Sequence, residues 1–409
     1  MIGRIDRIVL VGGGLAAAKA AETVRTEGFA GSVTLVTDEP ALPYERPPLS
    51  KAVLLGEQKP TSAILHDRSF YDDRGIEVVT GDEVTAIDRQ AGLIRTTGGR
   101  ALPFDRLLLA TGAAPRRLPL GEPGIAGVMT LRTMADSEHL AAQLDLVGHV
   151  TVVGAGWIGC EVAAAARSRG VEVTLVDPLD VPLQRVLGRE IGEVFAQLHA
   201  DHCVDLRLGV GVEGLTGGDR IEAVRLGDGR DVPTDLVVVG IGVLPRTGLA
   251  EAAGLSVDDG ILVDETLATT DPRILAAGDV ANAWHPFYER RLRVEHWANA
   301  LHQGVTAGRN LLGAGERFER LPYFYSDQYD LGLEYAGHAP TWDDTVVRGS
   351  TEAREFLAFW RHDGRVVAGM SINVWDVIED IRGIIRSGAR VDPERLADPD
   401  VPLARLTAR

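Results

Sequence analysis

Cysteine is nearly absent from this chain. Its 409 residues hold two, Cys160 and Cys203, far apart and in no CxxC pair. That excludes a four-cysteine zinc site and an iron–sulphur cluster held by this chain's own thiolates. Lysine is scarcer than its charge partners as well: Lys19, Lys51 and Lys59 are the whole set. Nearly all positive charge is arginine, so a lysine in an unusual context stands out. Aromatic residues make up only 5% of the chain, which disfavours a large all-β sandwich or lectin. Basic residues are outnumbered 42 to 59, for a net charge of −17. A field of that sign repels nucleic acid and anionic membranes. Long apolar runs are missing too. The start, MIGRIDRIVLVGGG, is too short for a secretory or membrane segment and runs into glycines, so a cytoplasmic location is expected.

Glycine is abundant, with 47 residues. It is concentrated where strands meet helices. Residues 5–11 read as a buried strand, followed at once by Gly12-Gly13-Gly14. An alanine-rich helix over 15–26 and a strand over 32–37 complete a βαβ unit. The pattern returns later: a strand over 149–153, glycines from 154 to 159, a helix over 160–168 and a strand over 171–176. Two such modules in one chain predict two nucleotide-like ligands. The length suits two or three domains.

Between and after these modules the texture varies. Four prolines in residues 40–51 exclude a central strand and predict a rigid connection that starts a helix near Leu49. Short strands are expected at 76–79 and 84–87, a small hairpin at 92–95 with 101–104, and a strand over 105–112. Residues 188–199 read as a helix and 235–241 as a buried strand. Residues 295–312 read as a helix with Trp297, Ala300, Leu301, Val305 and Leu311 on one side. After Pro322 aromatics cluster, and His362-Asp363-Gly364 signals a hairpin. An α+β domain is expected there.

The spacing of the first glycine turn has a chemical reason. Gly12 permits a tight turn, Gly14 lets the backbone approach a pyrophosphate, and Ala17 lets the helix pack close to its strand. The helix then offers unpaired N–H groups and a positive dipole end to phosphates. Asp38 or Glu39, after the second strand, should accept from the adenosine ribose; the reading leans to Glu39. The second turn presents Gly154, Gly156, Ile158 and Gly159, with Asp177 ending the next strand. An acid there holds both ribose hydroxyls of NAD and repels the extra phosphate of NADP. NADH is therefore expected over NADPH, with Arg185 as the counterweight. Cys160 reads as a small buried hydrophobe. Glu161, in the first helical turn, suits either a capping charge or a group that orients the nicotinamide amide.

These turns, together with TTDPRILAAGDVA at 269–281, resemble the FAD-dependent pyridine-nucleotide reductases. PYERPPLSK at 43–51, RVEHWANALHQG at 293–304 and PYFYSDQYD at 322–330 narrow the resemblance to the putidaredoxin-reductase type, over essentially the whole chain. These are NADH-dependent ferredoxin reductases serving cytochromes P450 or ring-hydroxylating dioxygenases. The resemblance implies an α/β fold with two Rossmann-like dinucleotide-binding domains, glutathione-reductase-like, plus an α+β C-terminal domain. FAD would occupy residues 1–115 and 249–321, NAD residues 116–248, and the C-terminal domain would be 322–409. It implies that Arg46, Lys51, Thr111, Gly112, Asp279, Val280, Trp297 and Gln303 contact FAD, with Lys51 near the reactive flavin edge. It places Glu161 near the nicotinamide, with Gly242 on the NAD side. Lys51 and Glu161 are the catalytic candidates. No metal is implied.

Two positions depart from the family pattern: Arg246 stands where Asn is usual, and Tyr325 where Trp is common. Without a redox dithiol, electrons should leave the flavin one at a time for an external acceptor. The expected acceptor is an acidic [2Fe-2S] ferredoxin, and through it a cytochrome P450. Docking then needs a local positive patch. Arg290, Arg291 and Arg293 form the densest run, with Arg309, Arg317 and Arg320 extending it. The alternatives are a dioxygenase or rubredoxin reductase, and an FAD- and NADH-binding signalling protein.

Overall fold

The computed structural model describes residues 4–120 and 125–407. The chain divides into two compact units. The first comprises the residues up to Arg46, Thr61–Ala114 and Val243–Arg320. The second comprises Pro47–Pro60, Pro115–Gly242 and the residues from Leu321 on.

In the first unit, short β-branched and aliphatic runs make a five-stranded parallel sheet. Its order is Ile274–Ala276, Arg106–Leu109, Arg7–Val11, Ser32–Val36, Ile76–Val79. Val9 lies opposite Thr34 on one side and Leu107 on the other. Strands buried on both faces carry continuous apolar runs, and Arg106–Leu109 is buried at every position. The Leu15–Thr26 helix leaves the central strand through the glycine turn.

The Trp297–Leu311 helix packs against that helix, but not by the expected apolar stripe. Trp297, Ala300, Leu301 and Val305 are only partly buried. The buried face runs instead through Gln303, Gly304, Ala307, Gly308 and Leu311. A Cβ on Gly304 would lie 2.5 Å from the Ala16 carbonyl oxygen, and one on Gly308 would lie 2.7 Å from the Thr23 Cβ. The backbones approach so closely that glycine, not bulk apolarity, decides which face turns inward.

The second unit repeats the parallel sheet, ordered Asp205–Leu208, Glu172–Asp177, His149–Val153, Leu236–Val239, Val128–Met129. Its glycine turn leads into the Trp157–Ser168 helix. The helix expected over 188–199 spans Gln184–Asp201, broken at Gly188, whose φ is 78°. Residues beyond Leu321 add an antiparallel sheet ordered Tyr323–Gln328, Leu331–Gly337, Arg365–Ile372, Glu355–His362, Asp344–Ser350. Asp363 and Gly364, both left-handed, close the hairpin between its last two strands in sequence.

The residues set apart as a C-terminal domain sort with the second unit because the two sheets share a core. Phe324, Trp360 and Met370 pack in one cluster with Leu187 and Phe195. The fully buried Trp360 indole donates to the Leu187 carbonyl at 3.1 Å. Truncating such a tryptophan typically costs about 3–5 kcal/mol.

The helix expected near Leu49 does not form. Pro47–Ser50 makes one 3-10 turn and the chain continues in turns. Turn bonds within the segment satisfy the carbonyls of Pro48, Lys51, Ala52 and Val53, and two others are satisfied from outside. The Ser137 hydroxyl donates to the Leu49 oxygen at 2.7 Å, and the Arg169 guanidinium to the Leu54 oxygen at 2.8 Å. Among the described residues, no helix is long and apolar enough to cross a membrane. Nor does any cluster of His, Cys, Asp or Glu there suit a metal ion.

Candidate functional site

Each unit opens a glycine turn at the C-terminal edge of its parallel sheet. In the first, Gly12 has a φ of +126°, and a Cβ there would sit 2.1 Å from the Ala110 carbonyl oxygen. Gly14 caps the Leu15–Thr26 helix without a side-chain hydrogen bond. The first-turn N–H groups therefore have no side-chain acceptor, and nothing lies within 4 Å of where a Gly14 Cβ would be. This is a cradle shaped for phosphate: open backbone donors, a positive dipole end and no side chain in the way. Ala17 is fully buried beneath it.

Side chains rim this cradle. Asp38 pairs with Arg246 at 2.9 Å. Glu39 accepts from the Tyr44 hydroxyl and from Arg46, the latter at 3.0 Å. Burial pulls the Arg46 pKa down, but its interactions with Tyr44, with the Glu39 carboxylate and with Asp279 outweigh that and leave the pKa raised. Thr111 donates its hydroxyl to the Arg246 carbonyl at 2.9 Å, and Gly112 is left-handed at 67°. Gln303 is buried and accepts from the Gly278 N–H at 2.8 Å, next to half-buried Asp279 and buried Val280. The Trp297 indole donates to Glu45 at 3.1 Å.

The second cradle is built the same way from different contacts. Gly154 has a φ of +103°, and its Cβ would lie 2.5 Å from the Gly240 oxygen. Gly156 caps the helix, again without a side-chain bond and with open space around it. Gly159 tolerates nothing larger, since a Cβ would sit 1.8 Å from the Gly154 oxygen. Ile158 stands 43% exposed in the turn, where an apolar contact with a ligand is free to form. Asp177 accepts backbone N–H groups from Ala155 at 2.7 Å and Leu179 at 2.8 Å. Each of its oxygens keeps a lone pair for a ribose hydroxyl. Arg185 is exposed, and Gly242 is left-handed at 96°. The two turns fit two dinucleotides.

A buried polar cluster lies within the second unit. The helix begins at Trp157, so Glu161 lies one turn further in than the first-turn position expected for it; it is 5% exposed and accepts from Ser50 at 2.5 Å, Ser326 at 2.6 Å and Lys51 at 2.7 Å. A buried carboxylate needs such partners, because an unpaired one costs several kcal/mol. The Lys51 ammonium also lies 5.6 Å from the centre of the Tyr325 ring, within cation–π range. The arrangement holds one positive and one negative side chain in fixed register beside donors and acceptors. Behind it, His199 is buried and bonds Gln328 at 3.1 Å. Burial lowers its pKa to about 4, against the opposing bond to Gln328. Cys160 is buried and its thiol pKa is raised, first by burial, so it is no ready nucleophile.

The arginines expected to dock a partner lie in the first unit and are not equivalent. Arg293 is paired with Asp259 and Glu295, and Arg309 with Glu27 and Glu316. Arg291 is exposed and donates to the carbonyls of Val263 and Asn282. Arg290 is exposed on the same strand. The positive run is therefore narrower than its sequence suggests.

Sequence reasoning missed Ser50, Ser137 and Ser326. Ser326 carried a signal: it alternates with Tyr325 and Asp327 in a strand, so one set must face inward. Ser50 and Ser137 carried none.

Comparison with known proteins covers nearly all of the chain. Residues 6–304 match the family model described as pyridine nucleotide-disulphide oxidoreductase, and residues 323–407 match the reductase C-terminal model. The ferredoxin reductase subunit of 5,5'-dehydrodivanillate O-demethylase from a Sphingobium species is 40% identical over 403 residues, covering 98% of both chains. The ferredoxin–NAD(+) reductase component of the anthranilate 1,2-dioxygenase system of Burkholderia cepacia is 41% identical, covering 97% of this chain and 98% of its own. Among solved structures, putidaredoxin reductase in its covalent complex with putidaredoxin superposes with a TM-score of 0.94 at 37% identity, covering 98% of each chain.

Proposed function

The chain belongs to the pyridine nucleotide-disulphide oxidoreductase family and carries its reductase C-terminal domain, and from that premise we propose that it reduces a [2Fe-2S] ferredoxin that serves a cytochrome P450. It is an NADH-dependent oxidoreductase that binds FAD and NAD, as its family does, which sets aside a purely signalling role. When bound, FAD would supply the conversion of a two-electron hydride donor into single-electron transfers to an acceptor. The observation that carries the ferredoxin reading is a pair of dinucleotide cradles in a chain with no redox dithiol. Both cysteines are free, Cys160 is buried, and neither belongs to a CxxC pair. An external one-electron acceptor then takes the place of the dithiol.

The residues of the chain prepare that transfer. The glycine turns hold the two pyrophosphates by backbone donors. Asp177 receives the adenosine ribose of NAD and disfavours a 2′-phosphate. Glu161 holds Lys51 through an ion pair, and the role read for that ammonium is to stabilise negative charge on reduced flavin. The domain division expected from sequence, FAD on 1–115 and 249–321, NAD on 116–248 and an α+β domain on 322–409, goes with this reading, as does a cytoplasmic location.

A ring-hydroxylating dioxygenase is the second destination for the electrons. The similarity to the anthranilate 1,2-dioxygenase component favours it. The decisive assay is NADH-driven cytochrome c reduction with and without ferredoxins from P450 and dioxygenase systems. Turnover that rises only with a P450-type ferredoxin supports the first reading, and a preference for the dioxygenase type supports the second. Slow turnover with every ferredoxin sinks both. Reversing Arg290 and Arg291 to Glu should raise the ferredoxin KM and spare NADH-dependent ferricyanide reduction; unchanged ferredoxin kinetics would move the docking patch elsewhere.

A further inference from the structure

Arg246 reaches across the edge of the first cradle. Its N–H donates to the Gly112 carbonyl at 2.9 Å, and its own carbonyl accepts the Thr111 hydroxyl at 2.9 Å. Its guanidinium bonds Asp38 at 2.9 Å. Gly112 follows the Arg106–Leu109 strand and Asp38 follows Ser32–Val36, and the Arg7–Val11 strand lies between those two. Neighbouring strands are spaced about 4.8 Å apart, so the side chain bridges roughly 10 Å of sheet edge. The central strand ends there in Gly12–Gly14. A Cβ on Gly12 would lie 3.3 Å from the Thr111 nitrogen, and one on Gly13 would lie 2.3 Å from the Thr37 hydroxyl. Both attachment points of the arginine thus flank the glycine turn directly.

We propose that Arg246 is a strap over the FAD cradle, held in place by Asp38 and contributing a positive charge to retention of the adenosine diphosphate portion. This rests on the reading of the first turn as the FAD site. One observation and one chemical argument support it. The ion pair is open to solvent, with side-chain exposures of 45% and 43%. A pair so exposed adds little to folding stability, so fold stability does not account for its placement. A guanidinium also presents planar paired donors that match phosphate oxygens, which asparagine at that position lacks. Asp38 then serves to pre-orient the strap, and Glu39 with Arg46 and Tyr44 forms a separate rim group.

The test is FAD binding to apoprotein, followed by quenching of flavin fluorescence over a range of salt concentrations. Arg246→Asn should weaken FAD binding about tenfold and flatten its salt dependence, with an unchanged melting temperature of the apoprotein. Arg246→Gln keeps a donor for Asp38 but no charge, and should show the same loss. If both variants bind FAD within twofold of wild type, with the same salt slope, the strap is wrong. If wild-type apoprotein takes up no FAD, the flavoenzyme reading itself fails, a result separate from the behaviour of the variants.

Discussion

At the last position of its glycine turn the first unit carries Ala17, whereas the second carries Gly159. The alanine methyl is accommodated and fully buried, while a methyl on Gly159 would collide with the Gly154 oxygen at 1.8 Å. The acids that follow differ as well. Asp38 and Glu39 are gripped by side chains, from Arg246, Arg46 and Tyr44. Asp177 is held only by backbone N–H groups. One cradle is therefore rimmed by long cationic and aromatic side chains. The other has a backbone rim, a single acid and an exposed isoleucine. On the proposed assignment of FAD to the first unit and NAD to the second, this difference would separate a resident flavin from a consumed nicotinamide.

The largest effect should come from the position where the turns differ. Gly159→Ala forces the loop off its helix and should cut NADH-dependent flavin reduction about 100-fold, because misplaced reactants lose most of their orientation advantage. Flavin content should stay normal, since the first cradle is untouched. The reciprocal Ala17→Gly should cost only about 0.5–1 kcal/mol of helix stability. Stopped-flow reduction and flavin-to-protein absorbance ratios read both. A Gly159→Ala variant with normal reduction would show that the tight approach is not needed for nicotinamide binding.

The contrast between the acids gives a smaller effect. Asp177→Asn keeps the shape but removes the charge that repels a 2′-phosphate. The ratio of kcat/KM for NADH over NADPH should fall about tenfold, or ~1.4 kcal/mol. An unchanged ratio would shift the discrimination to the surroundings, with Arg185 the first cation after Asp177 in sequence.

The parallel sheets and glycine turns were legible in the sequence because their signals are local. A β-branched run such as RIVLV followed by three glycines allows few other conformations. The Asp363-Gly364 hairpin was legible for the same reason. What escaped depends on contacts between distant segments. The inward face of the Trp297–Leu311 helix is decided by how closely another helix approaches Gly304 and Gly308. Prolines near residue 47 showed that a regular element is interrupted, but not that serine and arginine side chains from elsewhere satisfy the Leu49 and Leu54 carbonyls. Glu161 and Lys51 were each picked out separately, one by its place after a glycine turn and the other by the rarity of lysine. That they form one ion pair, completed by Ser50 and Ser326, was not readable from spacing.

The second unit differs from the first in one further respect: it carries the Pro47–Pro60 segment, and with it Lys51. Ser137 is completely buried and holds the Leu49 carbonyl, two residues before that lysine. Ser137→Ala leaves a buried carbonyl unsatisfied, which should cost about 1–3 kcal/mol in thermal or urea unfolding. The functional effect should be the smallest of the three, a roughly threefold slower flavin reduction as the Lys51 turn loosens, restored by Ser137→Thr. Stability that falls while reduction stays constant would mean that the Glu161 ion pair alone places Lys51. The segment would then be anchored for folding rather than for chemistry, and the comparison between the units would reduce to their glycine turns and acids.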